Sequence, residues 1–142
     1  MEKNEQVDVY LVVNAKYHDT NFARLELLKL LAENENINTR VAGDFSDLSE
    51  IQNSSLLITY TCDIRPTEDE QDGLEKFLDK GGKWFALHTT NALIEFVDGK
   101  PDTPDIAPKF MDLLGSRFIA HPDNQKIHVR VTDVSHPLIE NL

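Results

Sequence analysis

Four short apolar runs, separated by helical or turn-forming stretches, constrain this chain more than any other feature. Val7 to Val13 (VDVYLVV) is rich in β-branched and aromatic residues and reads as a strand buried on both faces. Ile37 to Ala42, Ser55 to Tyr60 (SLLITY) and Lys83 to His88 (KWFALH) supply three more strands. Between the first two, Asp19 or Thr20 can cap a helix whose apolar stripe is Phe22, Leu25, Leu27, Leu28, Leu30 and Leu31. Between the last two, Thr67 and Glu70 have capping-box spacing, Leu74, Phe77 and Leu78 form the buried side, and Gly81-Gly82 ends the helix. A short helical turn fits around Leu48 and Ile51. Strands alternating with helices in this way require right-handed crossovers and a largely parallel sheet, so the fold class is α/β.

The second half is less regular. Asp98 to Pro108 holds one glycine and three prolines and reads as a loop. Ala107 to Leu114 reads as a helix stopped by Gly115. Gln125 to Thr132 alternates Ile127, Val129 and Val131 with Lys126, His128 and Arg130, the pattern of a strand with one wet face. His136 to Ile139 reads as the start of a turn or helix.

Composition narrows the function classes. At 142 residues the chain suits a single domain spanning 1–142. Its formal net charge of -11 opposes binding to phosphate backbones and to anionic lipid, so no nucleic-acid or membrane partner is expected. No apolar run approaches the roughly 20 residues of a spanning helix. The lone Cys62 permits no internal disulfide, and the N-terminus lacks a basic, then apolar, leader pattern. Together these point to the cytoplasm.

Ligands of open α/β sheets bind beyond the carboxyl ends of the strands, near the point where strand order reverses. With strand order 2-1-3-4, that rule selects His18 and Asp19 after the first strand, Thr61, Cys62 and Asp63 after the third, and His88, Thr89 and Thr90 after the fourth. His121 lies in a later polar turn that can fold over the same edge. Imidazoles there can act as acid and base near neutral pH. Against this stand plainer readings: His88 as a strand-end residue, His18 as an exposed loop residue, His128 and His136 as structural. Three histidines could also hold zinc, but no tight ligand spacing such as HExxH occurs, and no metal is assigned. Cys62 is a reactive thiol or, at least as readily, a buried inert one. No P-loop, GxGxxG or GxSxG motif is present, and no cofactor is expected.

Gly81-Gly-Lys-Trp-Phe-Ala-Leu-His88 followed by Leu114-Gly-Ser-Arg-Phe-Ile-Ala-His-Pro122 resembles the ThuA-like, or trehalose-utilisation, family. That family has a GGG-x-x-GLH segment, then GGRF-x-GHP, then a strand and an HP-initiated turn. Lys126 to Val131 and Asp133 to Ile139 look like the last two, His18-Asp19 like the family's histidine-aspartate, and Pro66 to Gln71 like its acidic helix start. Ala86, Thr89 and Ala120 depart from the pattern, where the family has glycine, serine and glycine. The family's domain continues past the position of Leu142, so the chain is expected to be a fragment or a short form.

The resemblance implies a flavodoxin-like, three-layer fold similar to class I glutamine amidotransferases. The turn that holds the amidotransferase cysteine carries His88 here, which closes a thioester route. It also implies carbohydrate metabolism, with a trehalose-like or keto-disaccharide substrate. On the enzymatic hypothesis His88, His121 and His18 carry acid/base chemistry, Asp19, Asp63, Thr89 and Arg117 serve substrate binding, and Arg117 steadies the turn of His121. The rival hypothesis is a sugar-binding or structural module without catalysis. The choice between them stays open at this level. An uncovered strand edge or apolar patch near Leu138, Ile139 and Leu142 would favour a homo-oligomer, most simply a two-fold dimer.

Overall fold

In the computed structural model, residues 6–123, 125–132 and 136–137 are described. Their elements are β1 (Val7–Ala15), α1 (Thr20–Leu31), β2 (Ile37–Ala42), α2 (Leu48–Asn53), β3 (Leu56–Cys62), α3 (Glu68–Asp79), β4 (Lys83–Ala86), β5 (Glu95–Val97), β6 (Lys100–Asp102) and α4 (Pro108–Leu114). The main sheet is parallel throughout, in the order β2-β1-β3-β4. Helices cover both faces, which makes the three-layer, flavodoxin-like α/β arrangement.

The central strand shows why. Side chains alternate across a pleated strand, and β1 is apolar on both sides. Val9, Leu11 and Val13 pack with Ile58 against Ala23, Leu27, Leu28 and Leu31 of α1. Tyr10 and Val12 pack with Leu57 against Ile51 of α2, Leu74 and Phe77 of α3, and Phe110 and Met111 of α4. The first layer is thinner. Phe22, Leu25 and Leu30 of α1 face solvent, and Phe85, level with Ile58 across the ladder, is 56% exposed.

Local chemistry sets the helix ends. Asp19 caps α1, its carboxylate accepting the Phe22 N–H at 2.9 Å. Thr20, the other candidate cap, instead exchanges hydrogen bonds with the Ala15 backbone. In α3 the Thr67 hydroxyl accepts the Glu70 N–H at 3.3 Å, and the Glu70 carboxylate accepts the Thr67 N–H at 2.7 Å. Gly81 leaves the helix at φ 90°, where a side chain would be strained. The α4 N-terminus has no side-chain cap of its own. Its Phe110 N–H is taken by Gln71 of α3 at 3.2 Å, while the same amide donates to the Pro66 and Thr67 carbonyls. Lys109 adds ion pairs to Asp72 and Glu75 of α3.

Three expectations are corrected. The stretch read as a loop from Asp98 begins in a hairpin: β5 and β6 pair antiparallel around Asp98 and Gly99, both at positive φ. Such a two-residue turn matches the twist of the strands it joins. The fourth strand stops at Ala86, two residues short of His88. Gln125 to Thr132 forms no strand. Alternation makes a strand only where another edge supplies hydrogen bonds, and here Ile127 and Val129 lie exposed with no ladder partner among the described residues. Leu138, Ile139 and Leu142, expected near an interface, lie outside the described residues. Among the described residues no helix is long and apolar enough to cross a membrane.

Replacing Gln71 with leucine keeps the bulk but leaves the Phe110 N–H buried without an acceptor. A loss of about 1–3 kcal/mol in urea unfolding is expected. A change under about 0.5 kcal/mol would show that α4 is not anchored through this amide.

Candidate functional site

Parallel strands all end on one side of the sheet, so their following turns converge there. A cavity of about 670 Å³ lies at this edge. His18 comes from the turn after β1, Cys62 from the end of β3, and His88 and Thr89 from the turn after β4. Phe96 and Pro101 of the hairpin, Phe118, His121 and Ile127 complete much of the wall. A second depression, of about 790 Å³, is lined by Gln6 and residues 33–38 near the starts of β1 and β2. It offers no histidine or cysteine.

The turn after β4 is held by a buried ladder. The Trp84 indole N–H donates to the Thr59 hydroxyl at 3.0 Å. The Thr90 hydroxyl donates to the Thr59 carbonyl at 3.2 Å, so the Thr59 hydroxyl supplies the proton of the 3.0 Å contact between the two threonines. Thr89, one residue earlier, has φ 72°, a left-handed conformation that is costly for a β-branched residue. Its hydroxyl donates to the His88 carbonyl at 2.5 Å. The sharp turn therefore exposes His88 to solvent at the cavity.

His18 and His88 meet there. Their ring centroids are 5.3 Å apart at an interplanar angle of 74°, and His18 also lies edge-on to Tyr60 at 6.1 Å. The Nδ1 atom of His18 is buried and has no hydrogen-bond partner. Burial, and then the neighbouring His88, push the His18 imidazole below its ordinary value of 6.5. A half-buried base beside an exposed imidazole forms a pair whose environments differ, the condition for dividing acid and base roles.

His121 lines the same cavity. Its Nδ1–H donates to the Pro122 carbonyl at 2.8 Å, and its ring lies 6.0 Å from that of Phe118. The Phe118 N–H bonds to the Asn91 carbonyl, which ties this segment to the turn after β4. Tyr17 and Phe96 stand edge-to-face at 6.2 Å on the rim. Burial, and then the charge of Asp63, raise the Cys62 thiol, so it is held protonated and poorly nucleophilic.

Three expected binding residues stand elsewhere. Asp19 is the cap of α1 and does not line the cavity. Arg117 pairs with Asp105 at 3.1 Å beside a separate depression around α4. Asp63 does not line the cavity, and its side chain is only 6% exposed. Its Oδ2 accepts Lys16 Nζ at 2.8 Å, and its Oδ1 accepts Arg65 Nε at 3.1 Å, Arg65 Nη2 at 3.0 Å and the Ile94 N–H at 3.2 Å. Burial works to raise this carboxyl, but the Lys16, Arg65 and Ile94 hydrogen bonds outweigh it and hold it below 3.8. Sequence reasoning missed the aromatic wall, Tyr17, Phe96 and Phe118. Among the described residues, no group of three or more His, Cys, Asp or Glu side chains is arranged to hold a metal ion.

No family model matches the chain, and no curated protein matches it. The structure of a protein from Bacteroides uniformis described as ThuA-like superimposes with a TM-score of 0.70 at 19% identity. The match covers 100% of this chain and 58% of that one, so the chain spans little more than half of its neighbour's length. At this identity the likeness shows the fold: a ThuA-like arrangement of the α/β layers.

Two outcomes test the site's physics. Asp63 and His18 both bind a proton more weakly in the folded chain than in the unfolded one, so stability rises with pH through each window. Asp63 contributes fully above its unfolded value near 3.8 and loses that contribution as pH falls through its lower folded value. Urea midpoints of Asp63→Asn should be lower at neutral pH yet decline less steeply between about pH 5 and pH 3. Curves parallel to the parent would exclude this. Thr89→Gly removes strain worth about 1–3 kcal/mol and adds about 0.5–1 kcal/mol of chain entropy to overcome. Thermal unfolding should show an unchanged or higher midpoint; a clear drop would mean that the turn is not strained.

Proposed function

We propose that the chain is a ThuA-like protein of carbohydrate metabolism that acts on a trehalose-like or keto-disaccharide by histidine acid/base chemistry. The observation that carries this reading is the His18–His88 pair at the carboxyl edge of the sheet, inside a largely apolar cavity. In this reading His18, half-buried and lowered in basicity, is neutral at pH 7 and accepts a proton. His88, open to solvent, donates one or exchanges it with water, and His121, which lines the same cavity, completes the constellation. A proton moved off a carbon or hydroxyl by one imidazole and returned at another position by its neighbour requires no covalent intermediate. The aromatic rims formed by Tyr17, Phe96 and Phe118 suit the apolar faces of sugar rings. Thr89 presents its hydroxyl at the same turn and serves as a substrate contact. We place the protein in the cytoplasm, as the single buried cysteine suggests.

A second reading is a sugar-binding or structural module on a glutamine amidotransferase-like fold. The unpartnered Nδ1 of His18 favours it, because a working imidazole is commonly oriented by a hydrogen bond to its second nitrogen.

His88→Ala and His18→Ala should each lower turnover of a keto-disaccharide by about 10²–10⁴-fold. The melting temperature of His88→Ala should stay nearly unchanged, since that ring is exposed. Titration calorimetry with the same sugars separates the readings. Binding without product formation supports the module, and full activity of His88→Ala removes the acid/base mechanism.

A further inference from the structure

We infer that Asp63 is the positioning residue of this site: one buried carboxylate that sets where the His18 turn, the His88 turn and the β5–β6 hairpin stand relative to one another. The inference rests on the reading of His18 and His88 as the working pair.

Two segments remote in sequence converge on this residue, and Arg65 joins them from Asp63's own turn. Lys16, two residues before His18, reaches Oδ2 at 2.8 Å, and its backbone N–H bonds to the Cys62 carbonyl at 3.4 Å. From the turn after β4, the Ile94 N–H reaches Oδ1 at 3.2 Å, and the Ala92 carbonyl accepts the Asp63 N–H at 2.8 Å. Arg65 then extends the cluster into the hairpin. It binds Asp63 through two nitrogens, the Ile94 carbonyl at 3.0 Å, and Glu95 of β5 at 2.7 Å. The backbone of Asp63 is left-handed, φ 59°, which turns the chain sharply at the end of β3. Aspartate tolerates this region better than most residues.

An exposed ion pair would fix little, because water and side-chain entropy compete with it. This carboxylate differs in being nearly enclosed and in accepting one backbone and three side-chain donors. Its two oxygens also divide the labour. Oδ2 holds the His18 side of the site, and Oδ1 holds the hairpin and the His88 side. Acid/base catalysis by two imidazoles on one substrate depends steeply on how they are placed, and a displacement of about 1 Å can cost about 10²-fold in rate.

That division makes the test selective. The side chain introduced by Asp63→Asn keeps an Oδ1 acceptor for Arg65 and Ile94 but presents an amide N–H₂ to Lys16, so this variant should release the His18 turn alone. Lys16→Met removes the same contact from the other end and leaves the carboxylate with Arg65. Imidazole proton NMR on the full chain reads both. The unaltered protein should give a cross-relaxation peak between the His18 and His88 rings, and His18 should titrate below the ordinary imidazole value. In both variants that peak should weaken or vanish, and the His18 midpoint should move up toward about 6.5. Turnover, where measurable, should fall about 10–100-fold.

Folded variants with an unchanged peak and an unchanged His18 titration would overturn the inference. Should Asp63→Asn fail to fold, Lys16→Met decides by the same readings. If the NMR changes occur while His18→Ala and His88→Ala leave sugar turnover intact, the positioning role stands and the catalytic reading fails.

Discussion

Everything at the carboxyl edge depends on β1 being buried on both faces. A strand with one wet face could support a single layer of helices. β1 instead has apolar side chains on both sides, Val9, Leu11 and Val13 against α1 and Tyr10 and Val12 against α2, α3 and α4. Covering both faces forces the connections to run as crossovers, and crossovers make the strands parallel. Parallel strands deliver their turns to one edge. The meeting of His18 with His88 is therefore a late consequence of where valines and leucines fall in the first strand.

The layers were legible in the residues because each signal was local or periodic. Thr67 and Glu70 announce a capping box by spacing alone, and continuous apolar runs announce buried strands. The observed order β2-β1-β3-β4 is the one on which the choice of strand-end residues was conditioned, although right-handed crossovers alone also allow a 3-2-1-4 order. The hairpin was not legible in the same way. Asp98-Gly99 is a strong turn signal, but Pro101 and Pro104 around it favour irregular chain, and the flanking strands are only three residues each. Gln125 to Thr132 erred in the opposite direction. Its alternation is a property of the segment, whereas a ladder is a property of two segments.

The histidines of the site could be nominated from strand-end position, and the structure brings His18, His88 and His121 to one cavity. The role of Asp63 could not be read in that way. A carboxylate after a strand looks the same in sequence whether it faces a ligand or is enclosed by its neighbours. What distinguishes the two is the arrival of Lys16, Arg65 and Ile94, which lie on three different turns. Asp19 gave an ambiguous signal of the same kind, since a cap and a substrate contact call for the same side chain. Thr89 differs again: its left-handed backbone is imposed by the turn and its neighbours, with nothing in the residue type to suggest it.

The Trp84–Thr59 hydrogen bond has a consequence of its own. Trp84 is the only tryptophan in the chain, and it sits on the strand that ends in the His88 turn. Its indole is half-buried beside Phe45 and Phe110 and donates to the hydroxyl that also contacts Thr90. The emission colour of an indole depends on the polarity around it and on whether its N–H is bonded. The molecule thus carries an intrinsic optical probe wired through two threonines to the turn of His88, and a ligand that shifts that turn reports itself as light.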